Sequence, residues 1–319
     1  NGTFQVDGRA VAVLLLQEDA EIASRLRAEG GKASEILDAA DTARARFHRM
    51  RYGDIWLRDT GPVFLRRGGR ERSCALFAFN GWGGKYPARR DDAVTAALHR
   101  QGAFDATALE SIDRVLEGGA VESDGRGTLL ATRSAVLSAS RNPGLDQAAM
   151  EETLRRHLGF ERFLWLDHGH LEGDDTDGHI DTLARFCDAQ TIAYVACDDP
   201  ADVHFRPLQA MAHELAALRT AAGEPYTLVP LPWPGTFTNE AGDRLPATYA
   251  NFLIVNGAVL MPLYDCPSDA AAIAVIQQCF PEHTVVGIQC KPLIEQYGSL
   301  HCVTMQLPAG GIPEWTTTN

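Results

Sequence analysis

Several common devices are missing from this chain of 319 residues. No lysine- or arginine-rich block occurs, and 42 acidic against 29 basic side chains leave a formal charge of −13. Such a field repels nucleic acid and anionic membrane and draws small cations. Apolar runs are short; "AVAVLLL" at 10–16 falls far below the ~20 residues that cross a bilayer. The glycine-rich stretches "NGWGGKY" (80–86) and "LEGGAVESDGRGT" (116–128) match neither a phosphate loop nor a dinucleotide fingerprint. No G-x-S-x-G elbow is present. Serine hydrolase, kinase and dehydrogenase readings lose their main support. Cysteine is sparse: seven, at 74, 187, 197, 266, 279, 290 and 302, with no C-x-x-C. An odd number in a chain of this size argues against a disulfide framework or a cysteine-rich zinc module. It points to a reducing, cytoplasmic compartment, with most of these thiols buried as small hydrophobes.

What is present is ordinary globular material, 45% hydrophobic and 22% charged, without linker or low-complexity tract, which reads as one domain over 1–319. Amphipathic helices are expected near 18–29, 91–101, 145–158, 207–222 and 268–280. Met150, Leu154 and Leu158 fall on one face, as do Ile273, Ile276 and Phe280, and Asp146 and Ser268 are candidate N-caps. Strand-like runs include "CALFAFN", "TLLATRSAVL", "TIAYVAC" and "YTLVPL". "NFLIVNGAVLMPL" (251–263) reads as a hairpin turning at Asn256-Gly257. The rhythm is strand, strand, helix, strand, repeated, which makes the fold class mixed α/β. Polar stretches centred on Asp59, Glu117, His179, Asn251 and Cys302 recur at about 50–70 residues, the range in which internal repeats are worth suspecting.

"YGDIWLRDTGPVF" places Asp59 between an arginine and a turn, just after Trp56. It either caps that turn or waits beside an aromatic wall for a cation. The most polar stretch, "HGHLEGDDTDGHIDTLARF" (168–186), fails the calcium-loop test, because position twelve of the loop would be Ala184. A metal centre over 168–181 has no helical H-x-x-x-H to support it. If "HID" begins a strand, His179 and Asp181 share one face and point into one cleft. Cys302, read alone, is a core cysteine. A nucleophilic cysteine, an acid/base histidine and paired carboxylates together suit a guanidinium: aspartates fit its fork of N–H donors, and its charge favours a thiolate nearby.

"WLRDTGP", "LEGGAVESDGRGTLLAT", "SRNPG", "GDDTDGHIDTLARF", "ATYANFLIVNGAVLMP" and "GSLHCVTMQLP" together, in order from about 50 to 308, resemble the agmatine deiminase family, a branch of the bacterial-type peptidylarginine deiminases in the guanidine-modifying superfamily. The resemblance implies a five-bladed pseudo-symmetric α/β propeller (pentein) with its site at the centre. It implies hydrolysis of agmatine to N-carbamoylputrescine and ammonia, a step of polyamine biosynthesis, without metal or organic cofactor. Cys302 would be the nucleophile and His179 the general acid, then base. Asp59 and Asp181 would grip the guanidinium, Asp175 and Trp56 would contact the rest of the substrate, and Asn251 and Glu117 fall on matching segments. Family members commonly carry glutamate where this chain has Asp175 and begin with a proline- and tryptophan-rich segment not found before residue 50. The implied partner is a small cationic guanidine, not nucleic acid or membrane; homo-oligomerisation stays open. Agmatine has an ammonium where arginine has an α-carboxylate, so Arg58, Arg133 and Arg141, all near the motifs, bear on the choice between them. The alternatives are a deiminase or amidinotransferase acting on arginine, peptidyl-arginine or another guanidine, and a non-catalytic guanidine- or polyamine-binding protein.

Overall fold

The computed structural model describes residues 13–16, 46–67, 71–104 and 108–307. Strands β1 (Val13–Leu16) and β2 (Arg46–Arg49) pair in parallel. Four three-stranded sheets then repeat one plan. The first holds β3 (Val63–Arg67), β4 (Glu71–Ala78) and β5 (Ala108–Val115), with helix α1 (Val94–Arg100) between the last two. The second holds β6 (Val121–Ser123), β7 (Thr128–Thr132) and β8 (Arg162–Leu166), with α2 (Gln147–Leu158). The third holds β9 (Ala184–Phe186), β10 (Thr191–Val195) and β11 (Thr227–Leu231), with α3 (Phe205–Ala217). The fourth holds β12 (Leu253–Val255), β13 (Ala258–Leu263) and β14 (Thr284–Gln289), with α4 (Asp269–Cys279). In each sheet the first two strands run antiparallel, and the third lies parallel to the middle one. A parallel neighbour requires a crossover, which the helix supplies.

Local signals explain most of these elements. α2 buries Met150, Leu154 and Leu158 as its spacing predicts. Asp146 caps it by accepting from Ala149 N at 2.9 Å, and left-handed Gly159 ends it. The hairpin forms with Val255 opposite Ala258, and Gly257 supplies the positive φ of 72°. Other expectations need correction. "TLLATRSAVL" splits after β7, because the Thr132 hydroxyl accepts from Ala135 N and opens a helical turn at Arg133–Val136. α3 stops at Ala217, where Leu218 turns extended and Arg219 bridges to Pro225. Ser268 makes no capping bond; the Asp269 carboxylate instead accepts from the Tyr264 and Cys266 amides, each at 3.2 Å. "HID" is not a strand start, since Ile180–Thr182 is one turn of 3₁₀ helix with His179 at its N-cap. The helix expected over 18–29 lies outside the described residues.

The repeat also disposes the polar residues. Asp59, Glu117, His179 and Asn251 stand four, four, five and two residues ahead of β3, β6, β9 and β12. Each lies in the short connection that enters a sheet. The helical turn Leu57–Thr60 packs against the 3₁₀ turn Gly118–Ala120, which packs against Ile180–Thr182. Each sheet packs apolar core against its own helix: Met150, Leu154 and Leu129 in one unit, Met211, Leu215 and Ile192 in the next.

Candidate active site

The entering turns bring Asp59, His179 and Asp181 around one glycine. A Cβ built on Gly119 would lie 2.7 Å from His179 Nδ1, 3.0 Å from Asp59 Oδ1 and 3.1 Å from Asp181 Oδ2. Gly119 therefore leaves a small, acid-walled space that any side chain would fill. Its amide donates to Asp59 Oδ1 at 3.0 Å. Cys302 borders the same space, with Sγ 3.7 Å from Asp181 Oδ2. His179 and Asp181 were expected to meet on one strand face; they meet instead on one 3₁₀ turn, and Asp59 and Cys302 reach them from other parts of the chain.

The sulfur is held by Asn251. Its amide nitrogen lies 3.3 Å from Cys302 Sγ, and its Oδ1 accepts from the His301 and Cys302 amides at 2.8 and 3.4 Å. Asn251 thus fixes the loop that carries the thiol. Burial pushes the Cys302 thiol well above its ordinary value, and the charges of Asp181 and Asp59 push it the same way. The thiol thus stands beside carboxylates that disfavour its ionisation.

His179 sits between two carboxylates, Nδ1 at 3.7 Å from Asp59 Oδ1 and Nε2 at 3.9 Å from Glu117 Oε2. Among the described residues, its Nε2 is buried without a hydrogen-bond partner, as is Asp181 Oδ1. Unpartnered buried polar atoms are costly and call for an occupant. Glu117 is itself engaged: both oxygens accept from Arg141 Nε at 2.8 Å. Arg141 also binds Asp177 Oδ2 at 2.7 Å and the Thr176 carbonyl at 2.9 Å, tying the 174–178 loop to the histidine's neighbour. Burial raises the Glu117 carboxyl above its usual range against the pull of His179 and Arg141.

Burial pushes the Asp181 carboxyl up to about 6, with Asp59 adding to the rise and His179, Arg185 and Arg58 opposing it. This has a consequence for stability. The folded chain holds the Asp181 proton that the unfolded chain releases near 4, so stability falls as pH climbs from about 4 to about 6. The accumulated loss above pH 6 is about 3 kcal/mol. Asp181→Asn removes it: thermal melting should show the variant more stable than the unmodified protein at pH 7, with the gap closing at pH 4. An equal gap at both pH values would contradict the assignment.

Two walls close the space. Trp56, Phe79 and Trp82 cluster with Cys302, and Gly298 permits the contact, since a Cβ there would meet Trp56 at 2.4 Å. Trp82 was not singled out from sequence. It lies within "NGWGGKY", where Gly81, Trp82, Gly83 and Gly84 all take positive φ. This left-handed run, rare for a tryptophan, aims its indole N–H at Asp59 Oδ2 over 2.8 Å. A bulky residue between three glycines was the available signal. The Trp82 ring meets Tyr86 edge-on with centroids 5.6 Å apart, and the Tyr86 hydroxyl donates to Asp175 Oδ2 at 2.6 Å. That bond, ahead of burial, pushes the tyrosine up to about 12. Asp175 therefore stands across two aromatic rings from Asp59, not within the acid cluster itself.

The remaining polar residues of 168–178 are engaged locally. Asp174 accepts from the Thr176 and Gly178 amides, His168 pairs with Glu214, and Asp177 pairs with Lys85 and Arg141. Among the described residues, no three His, Cys, Asp or Glu side chains are grouped to hold a metal ion. Arg133 binds Asp167 at 2.8 Å, and Arg58 is directed to His301, Thr304 and Gln306. Behind Arg58 and His301 lies a separate cavity of about 210 Å³ that Phe64, Glu122, Leu158 and Arg185 also line.

Gly119→Ala should leave the fold intact, because its backbone φ is ordinary, yet block the acid-walled space. We expect a melting temperature within a few degrees of the unmodified protein and a weaker guanidine affinity. Calorimetric titration with agmatine checks this; unchanged affinity would show that the space is not where a guanidinium enters.

The profile of the Porphyromonas-type peptidyl-arginine deiminases matches residues 8–308. An agmatine deiminase of Pseudomonas aeruginosa is 34% identical over 307 residues, covering 88% of this chain and 82% of its own. Among solved structures, a Porphyromonas gingivalis protein provisionally called an arginine deiminase shares 47% identity with a TM-score of 0.85, covering 94% of this chain and 85% of its own. A C. jejuni agmatine deiminase variant with substrate bound shares 33% identity with a TM-score of 0.79, covering 88% and 80%.

Proposed function

The chain belongs to the Porphyromonas-type peptidyl-arginine deiminase family, and from that footing we propose that it hydrolyses agmatine to N-carbamoylputrescine and ammonia. One observation carries the reading: a buried thiol and three buried acid/base side chains converge beside Gly119, with His179 Nε2 and Asp181 Oδ1 left without partners among the described residues. We read 1–319 as a single catalytic domain. The four like sheets, with β1–β2 as part of a fifth, support a five-bladed α/β propeller whose entering turns meet at the site.

In this reading Asp59 and Asp181 accept the guanidinium N–H groups, and the cation supplies the charge that the thiol lacks. Its approach lowers the Cys302 pKa and releases a proton, which His179 takes. The thiolate attacks the guanidinium carbon. His179 returns the proton to the departing nitrogen, which leaves as ammonia, and a covalent amidino-thioether remains on Cys302. A water, deprotonated by His179, attacks the same carbon; the C–S bond breaks, thiolate reforms and the urea product departs. No metal or redox partner is required by this balance. Glu117 with Arg141 holds His179, and Asn251 holds the sulfur, so both act through their neighbours.

Agmatine is favoured over arginine by what stands at the far end of the aromatic wall. Asp175 presents a carboxylate there, suited to an ammonium. Arg58, Arg133 and Arg141 are each committed elsewhere, and none is left to clamp an α-carboxylate. A chain with seven free thiols fits the cytoplasm. The test is ammonia release and product identification with agmatine, free arginine, a peptide ending in arginine, and methylguanidine offered separately. Agmatine alone should turn over to N-carbamoylputrescine. Preference for arginine or a peptide would replace the substrate, and tight agmatine binding without ammonia would replace the enzyme by a binding protein.

A further inference from the structure

His301 immediately precedes the thiol and is only 3% exposed. Its ring joins two groups of opposite charge: Nδ1 lies 2.7 Å from Asp181 Oδ2, and Nε2 lies 3.2 Å from Arg185 Nη2. A guanidinium carries donors only, so Nε2 must accept from Arg185. The ring proton therefore resides on Nδ1 and is donated to Asp181. Burial, with Arg185 and Arg58 nearby, drives the imidazole well below its ordinary value, so the ring is neutral. Arg185 cannot swing away to release this arrangement. Its Nε donates to Glu122 at 2.7 Å, its Nη1 to the Ala250 and Phe252 carbonyls at 3.2 and 2.7 Å, and it stacks over the Phe252 ring.

The oxygen that accepts from His301 is the one facing Cys302 Sγ and the space at Gly119. The His301 backbone is equally fixed, its amide on Asn251 Oδ1 and its carbonyl accepting from Arg58 Nε at 3.3 Å. We propose that His301, set in its Nδ1–H tautomer by the Glu122–Arg185 pair, is a positioning residue that keeps Asp181 ionised and aimed beside Cys302 for a cationic substrate. This rests on the guanidine-hydrolase reading above. Asp181 is faced by His179 from its own turn, Arg58 and Asp59 from Leu57–Thr60, Arg185 from β9, and Cys302 and His301 from the thiol loop; Glu117 and Glu122 stand behind His179 and Arg185. Of these, His301 at 2.7 Å and the Cys302 thiol at 3.7 Å hydrogen-bond that oxygen, and only His301 does so through an N–H. Without that donor the carboxylate loses ionisation as pH falls, and substrate capture fails first.

Two measurements decide it. Long-range proton–nitrogen correlation spectra of the unmodified protein, with His301 assigned by its absence in His301→Asn, should show a neutral Nδ1–H ring from pH 5.5 to 8. An Nε2–H ring or an imidazolium in that range overturns the proposal, whether or not the protein turns over agmatine. In steady-state kinetics, His301→Leu should move the acidic limb of kcat/KM upward by about one pH unit, the worth of a hydrogen bond to a charged group. KM should rise about tenfold at pH 6, with a smaller change in kcat. His301→Asn, whose amide N–H takes the place of Nδ1–H, should return the limb to its original position. No shift in the leucine variant, or equal shifts in both, overturns the proposal, whereas an unmodified protein that never releases ammonia from agmatine overturns the function and leaves the tautomer measurement standing.

Discussion

Cys302→Ala should abolish ammonia release from agmatine, with a fall in kcat on the order of 10⁴ to 10⁶, the range seen when a nucleophile is removed. The fold should survive, because Asn251 still holds the His301 and residue-302 amides and Arg58 still binds the residue-302 carbonyl at 3.0 Å. Agmatine should still bind within a fewfold of the original affinity, since Asp59, Asp181 and the aromatic wall are untouched. Stopped assays for ammonia, with calorimetric titration on the same preparation, separate the two quantities. Activity within tenfold of the unmodified protein would sink covalent catalysis. Loss of both turnover and binding would mean that the sulfur holds the site together and does not attack.

Asp59→Ala should act in the opposite sense, on binding before chemistry. The carboxylate accepts from the Trp82 indole and the Gly119 amide, and it faces His179. Removing it takes away one of two anionic partners for a buried cation, a loss of about 2–5 kcal/mol. That corresponds to an affinity for agmatine weaker by roughly 30- to several thousand-fold. It also releases the Trp82 indole N–H, so tryptophan fluorescence should shift. Asp59→Asn keeps one acceptor oxygen, which can serve the Trp82 indole while the Gly119 amide loses its partner, but not the charge. It should preserve the fluorescence while still losing most of the affinity. Full affinity in the asparagine variant would show that hydrogen bonding, not charge, recognises the substrate.

Elements with local causes were legible in the sequence. α2 announced itself through Met150, Leu154 and Leu158 behind an aspartate cap, and the 251–263 hairpin through Asn256-Gly257. The recurrent strand, strand, helix, strand order was visible as well, and it corresponds to four sheets of one topology. Asp59, Glu117, His179 and Asn251 each precede a sheet, and Cys302, after the last of these sheets, continues their spacing. What stayed hidden depends on contacts distant in sequence. Trp82 enters the site through an unusual backbone path, and its partner Asp59 is 23 residues away. Arg185 and His301 meet across 116 residues, and no local pattern marks either as part of a chain leading to Asp181. The "HID" segment misled for the reverse reason. Alternation suggested a strand, but the backbone there turns tightly to hand Thr182 and Leu183 their hydrogen bonds.

The entering turns also determine how the protein acquires its chemistry. Each sheet closes with its own helix from a stretch of neighbouring sequence, so these pieces have low contact order and are expected to form early. The acid-walled space belongs to no single piece, because Asp59, His179 and Cys302 arrive from three of them. Activity in a refolding chain should therefore lag behind secondary structure and appear all at once, when the last unit docks. A nick in one exposed connection that lets a unit drift would silence the whole enzyme while leaving most of its circular dichroism unchanged.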